Sequence, residues 1–161
     1  MLDAGLVLPG EFKLVSGAES NVYIEFSRAA GYPHILTDLC DELYKNFSPG
    51  VTCVAGTGYG GVILATALSI CYGLKAAHIR TELKEHGPPI YVEGYEPTMM
   101  DLTAVVEDVV TTGGSAREVI SILQPITRIE GCHAVIKRGD AEFPCKFDYL
   151  FDAKEFLDAM K

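Results

Sequence analysis

The spacing of apolar positions divides the chain into strands and helices before any single residue is considered. Residues 12–26 alternate imperfectly around Ser16-Gly17, which predicts a short hairpin or hood. From Pro33 the period changes. Ile35, Leu39, Leu43 and Phe47 recur at helical spacing, Pro33 suits a first-turn position, and Pro49-Gly50 ends the helix. Residues 51–55 are a short apolar run, the pattern of a strand buried on both faces. A glycine-rich turn follows, Gly56-Thr57-Gly58-Tyr59-Gly60-Gly61, and then an apolar helix to Tyr72 that Gly73 closes. Residues 75–79 read as the next strand. Residues 80–100 mix charges, prolines and glycines without a period and predict a long loop, of a length that in a compact chain points to function. Residues 102–106 predict a strand, 116–123 a helix, 132–136 a strand and 149–151 a last strand, with Asp152 capping a short terminal helix. Alternating strands and helices imply an α/β fold, a parallel-centred sheet with helices on both faces.

Composition narrows this picture without changing it. The chain has 161 residues, enough for one domain with a sizeable core, so residues 1–161 are read as a single domain. With 48% hydrophobic and 22% charged residues, the chain is a folded one rather than a disordered one. A formal net charge of −9 argues against a nucleic-acid partner, which needs cations to displace counterions, yet leaves room for a locally basic pocket. The first residues show no basic segment followed by an apolar run, and the most apolar stretch, residues 62–74, is too short to cross a bilayer. No membrane partner is expected. The five cysteines are odd in number and lack a Cys-x-x-Cys pair, which suits structural thiols in a reducing cytoplasm. Cys53, Cys71 and Cys132 stand in apolar runs and are expected in the core.

The strongest chemical signal spans residues 104–115. An apolar strand, Ala104-Val105-Val106, ends in the paired acids Glu107-Asp108, and Thr111-Thr112-Gly113-Gly114-Ser115 then opens a helix. Gly113 and Gly114 let backbone N–H groups converge on an anion. Thr111, Thr112 and Ser115 add hydroxyl donors, and the helix adds its positive end. A strand, a polar turn and a capped helix would explain Thr-Gly-Gly-Ser alone, but not two acids at the strand end. Gly56-x-Gly58-x-x-Gly61 taken alone is a weak dinucleotide pattern, and no suitable acid ends the following strand. Residues 80–87 in isolation are a solvated charged loop.

Together these segments carry a resemblance. Residues 104–115 resemble, at nearly every position, the signature by which type I phosphoribosyltransferases bind 5-phosphoribosyl-1-diphosphate (PRPP). Arg80-Thr81-Glu82-Leu83-Lys84-Glu85-His86-Gly87 resembles the mobile loop of orotate phosphoribosyltransferases, with Thr81 where that family has lysine. Gly10-Glu11-Phe12, Leu14, Ser16-Gly17, Ser20 and Tyr23 resemble the family's N-terminal hood, with Val15 where a lysine is common.

The resemblance covers residues 10–138 and implies a type I phosphoribosyltransferase fold, with a hood over about residues 10–33 and a mobile loop over about 80–98. It implies transfer of the phosphoribosyl group of PRPP to orotate. Thr111, Thr112, Gly113, Gly114 and Ser115 would hold the 5-phosphate, and Glu107 and Asp108 the ribose hydroxyls or the water shell of Mg²⁺. Gly56, Thr57, Gly58, Tyr59 and Gly60 would hold the diphosphate. Arg138, after the strand at 132–136, falls where the family places an arginine for the orotate carboxylate. Arg80, Lys84 and His86 would act with Asp108 in catalysis, in trans if the chain forms the family's homodimer. Two alternatives share the signature: a transferase for another nucleobase, and a non-catalytic PRPP sensor.

Overall fold

The computed structural model describes residues 7–13, 19–81 and 91–155. At the N-terminus, β1 (Val7–Lys13) pairs antiparallel with β2 (Glu19–Ile24), the expected hairpin, beginning earlier than the alternation suggested. The Ser16-Gly17 turn signal lies outside the described residues. A 3-10 helix (Phe26–Gly31) leads into α1 (Pro33–Asn46). Then follow β3 (Cys53–Thr57), α2 (Gly58–Tyr72), β4 (Lys75–Ile79) and β5 (Val92–Gly94). The chain continues as β6 (Leu102–Val110), α3 (Gly114–Leu123), β7 (Arg128–Lys137) and β8 (Lys146–Asp152).

Strands β5-β4-β3-β6-β7-β8 form one sheet in that order, parallel throughout except for β5. Neighbours β3 and β6 send their connections in opposite directions, through α2 to β4 and through α3 to β7. Crossovers of one hand then place α2 and α3 on opposite faces. Strand side chains alternate accordingly. Val54, Ala104 and Val106 pack against Leu64 and Leu68 of α2 and Leu43 of α1. Cys53, Ala55, Val105 and Cys132 pack against Val119, Ile120 and Leu123 of α3. Burial on both sides is why these strands read as continuous apolar runs.

Several expectations are corrected. The strand at 51–55 lies two residues later, so Gly56 and Thr57 belong to β3 and Gly58 opens α2. No separate glycine turn stands between them. β6 does not stop before the acids but carries them and continues to Val110. Residues 92–94, assigned to loop, pair with β4. Cys71 is exposed, because it falls on the outer face of α2, whereas Cys53 and Cys132 are buried. Residues 138–145, for which the sequence predicts no element, join β7 to its parallel neighbour β8 without a helix. Asp152 does cap the last described turn, accepting from the Lys154 backbone N–H at 3.0 Å.

Candidate active site

The crevice between β3 and β6 is where the connections reverse direction, the place where ligands bind in open α/β sheets, at the carboxyl ends of the strands. The acid pair sits there. Close packing of α2 against it depends on glycine: a Cβ on Gly60 would stand 2.2 Å from Asp108 Cγ, and one on Gly56 would strike the Gly61 carbonyl. These two glycines therefore bring the first turn of α2 against the acids, a role the sequence pattern did not disclose.

Glu107 is only 6% exposed. Burial first, and the neighbouring Asp108 second, push its carboxyl up to about 8. Asp108 is also raised by burial, with partial relief from the Val109 N–H, which donates to Oδ1 at 2.9 Å. Among the described residues no protein hydrogen bond reaches the Glu107 carboxyl group. Two adjacent acids of this kind suit hydroxyl groups or a hydrated cation.

The acids face a cleft of about 430 Å³ that Thr57, Gly58 and Tyr59 also line. Glu107, Val109 and Ser115 are shared with a second hollow of about 380 Å³, walled by Thr111, Thr112, Gly113 and Gly114. Gly113 is the N-cap of α3 at φ 75°, a conformation that glycine adopts without strain, and no side chain caps this helix. Its first N–H groups are thus left for an anion. A third hollow of about 410 Å³ adjoins the cleft at Thr57 and Gly58 and reaches Arg80 and Thr81. Thr57 turns its hydroxyl away from this row, donating to the Ile79 carbonyl at 2.8 Å.

Arg80 is anchored at the base of the loop. Its Nε pairs with Glu93 of β5 at 2.9 Å and its N–H donates to the Tyr91 carbonyl at 2.8 Å. Lys84 and His86 lie outside the described residues. Arg138 follows β7, half-buried, with its guanidinium drawn below the usual value by burial, and its N–H donates to the Val110 carbonyl at 2.8 Å. It lines neither of the two central hollows, so the structure brings the acids, the cradle and the start of α2 together and leaves Arg138 beside them. Sequence reasoning missed Glu25, Phe26 and Ser27, which close the cleft from the hood side. Their only signal was position, directly after the second hood strand. Among the described residues no cluster of three or more His, Cys, Asp or Glu side chains forms a protein-built metal site, and no helix is long and apolar enough to cross a membrane.

A doubly covered parallel sheet with an acid pair and an uncapped Thr-Gly-Gly-Ser helix start at its switch point defines a type I phosphoribosyltransferase. No protein-family model matches the chain. Orotate phosphoribosyltransferase of Chlorobaculum parvum is 33% identical over 141 residues, 86% of this chain and 72% of that protein. That of Methanosarcina acetivorans is 34% identical over 151 residues, 86% of this chain and 80% of that protein. The crystal structure of orotate phosphoribosyltransferase from Aeropyrum pernix superposes with a TM-score of 0.86 at 26% identity, covering 99% of this chain and 94% of that one. The chain belongs to the orotate phosphoribosyltransferase family.

Proposed function

We propose that this chain transfers the phosphoribosyl group of PRPP to orotate, forming orotidine 5′-monophosphate and diphosphate. The observation that carries the reading is the unbroken row of three hollows: an anion cradle, an acid pair, and a helix start leading to Arg80. PRPP presents its groups in the same order, 5-phosphate, ribose hydroxyls and diphosphate.

Thr111, Thr112, Gly113, Gly114 and Ser115 hold the 5-phosphate. Glu107 and Asp108 take the ribose hydroxyls. Gly58 and Tyr59 face the diphosphate, with Gly56, Thr57 and Gly60 shaping that wall. Arg80, with Lys84 and His86, neutralises charge gathering on the leaving diphosphate, the largest electrostatic demand of the reaction. Arg138 offers the paired donors that the orotate carboxylate needs. Mg²⁺ fits this donor set as a cation carried mainly by PRPP. Hard carboxylate oxygens are present at Glu107 and Asp108, and two acids alone make no closed cage. When bound, the cation neutralises diphosphate charge. The functional unit is a homodimer in which the loop that begins at Arg80 and ends before β5 serves the neighbouring site.

The test is incubation with PRPP, Mg²⁺ and a panel of bases, following diphosphate release. Release with orotate alone is expected. Release with uracil or a purine but not orotate would remove the base assignment and keep the transferase. PRPP binding without turnover on any base would make the chain a sensor.

A further inference from the structure

The connection after β7 is tied to the phosphate cradle more closely than its sequence suggests. Residues 138–145 must return from the carboxyl end of β7 to the amino end of β8. The two strands pair in parallel from Gly131↔Lys146 to Lys137↔Asp152, a rise of about 20 Å. The chain from Lys137 to Lys146 can span at most about 32 Å. A connection this short leaves no room for the crossover helix that usually stands there, so residues 138–145 run directly across the end of the sheet as a strap.

The strap meets the cradle at four points. The Arg138 N–H donates to the Val110 carbonyl at 2.8 Å. A Cβ on Gly139 would lie 2.8 Å from the Thr111 carbonyl oxygen. Gly113 sits under the strap, where a Cβ would be 2.8 Å from Phe143 Cζ and 3.1 Å from Ala141 Cβ. Arg117 of α3 bridges the two segments: its Nη1 donates to the Thr112 carbonyl at 2.8 Å and to the Glu142 carbonyl at 3.1 Å. Arg117 is exposed and lines neither central hollow; the contacts it makes are with the carbonyls of the two segments.

Peptide planarity supplies the link. The Thr112 carbonyl and the Gly113 N–H belong to one rigid plane, as do the Thr111 carbonyl and the Thr112 N–H. An anion that fixes these N–H groups fixes the carbonyls on which Arg117 and Gly139 rest. We propose that Arg117 is a positioning residue that couples the filled phosphate cradle to the strap beginning at Arg138, so that binding of the phosphoribosyl donor sets the base side of the cleft. This rests on the reading of the cradle given above.

Hydrogen exchange of two peptides, one over residues 110–116 and one over 138–145, separates the possibilities. In the wild-type protein, PRPP with Mg²⁺ should slow exchange in both. In Arg117→Met, which keeps the apolar stem, it should slow only the cradle peptide, and the Michaelis constant for orotate should rise roughly 3- to 10-fold with little change in PRPP affinity. Arg117→Lys keeps the charge but is a single point donor and should fall between. It also preserves the comparison if the methionine variant loses stability. Strap protection in Arg117→Met equal to wild type overturns the coupling, as does cradle protection without strap protection in the wild type. Absence of protection in the cradle peptide itself overturns the phosphoribosyl reading, and the coupling with it.

Discussion

Replacing Glu107 with Gln should make the protein more stable and less able to bind PRPP, and the stability gain should depend on pH in a defined way. The residue is 6% exposed, and its carboxyl is pushed up to about 8 from its ordinary 4.5, because burial and then Asp108 disfavour the charge. Between those two values the unfolded chain has released this proton and the folded chain still holds it. Stability therefore falls as pH rises through that window, by about 1.4 kcal/mol per pH unit for a fully buried group. At pH 7 the accumulated penalty is at most about 3 kcal/mol, and relaxation around the acid would leave on the order of 1–3 kcal/mol. Glutamine has the same shape and no proton to lose, so the variant escapes the penalty. For a chain of this length that is a rise in Tm of roughly 2–10 °C at neutral pH. The assay is denaturant unfolding of both proteins from pH 5 to 8.5. The gap in favour of Glu107→Gln should be small at pH 5, widen with rising pH, and level off above about 8. A gap that stays constant across the range would falsify the argument that Glu107 is held protonated. The same variant should bind PRPP more weakly by calorimetry, since it loses the charge meant for the ligand.

Three further outcomes follow from the geometry and the proposed reaction. Lys84→Ala should lower kcat by about 10²–10³ with a smaller change in the Michaelis constant for PRPP; a change confined to the Michaelis constant assigns Lys84 to ground-state binding. Arg138→Ala should cost about 1.5–3 kcal/mol in orotate binding by titration calorimetry and leave PRPP affinity nearly unchanged, and equal losses for both ligands would contradict its assignment to the base. Asp101→Asn should destabilise the fold at neutral pH by roughly 1.5–3 kcal/mol, the range for hydrogen bonds to a charged group. Because Asp101 is held below its ordinary range, this difference should shrink as pH falls below about 4, and chemical unfolding at pH 7 and pH 3 checks it.

The parts of the fold legible in the sequence are those fixed by near neighbours. The helical period from Ile35 to Phe47 locates α1, Gly73 at φ 67° closes α2, and the strand read at 75–79 coincides with β4. The ends of β3 and β6 are not legible locally because Gly56, Glu107 and Asp108 are poor strand formers alone. They are extended because Gly56 pairs with His78 and Val106, and Glu107 with Ala134, partners distant in sequence. β5 is three residues held by β4, too short to stand out within a segment that reads as loop. The site divides the same way. The acids and the cradle share one local motif and were legible; Glu25, Phe26 and Ser27 reach the cleft only through tertiary packing.

The two ends of β6 show what distinguishes a structural acid from a functional one. Asp101, just before the strand, is 2% exposed and Glu107, within it, is 6% exposed, so both should be driven toward the neutral form. Only Glu107 is. Burial raises Asp101 too, but that effect is outweighed by its donors: the Thr98 N–H at 3.0 Å, Lys75 Nζ at 2.9 Å, the Thr52 hydroxyl at 2.9 Å and the Tyr95 hydroxyl at 2.9 Å. Its charge is satisfied within the fold and ties together the amino ends of β3, β4 and β6. At the carboxyl end no described protein donor reaches Glu107, and its nearest charged neighbour is another acid. A fold optimised for stability alone would place a donor or an apolar side chain there. The acid stands there with no partner among the described residues, facing the cleft between β3 and β6, and under the proposed reaction a polyhydroxylated, cation-carrying ligand would supply that partner.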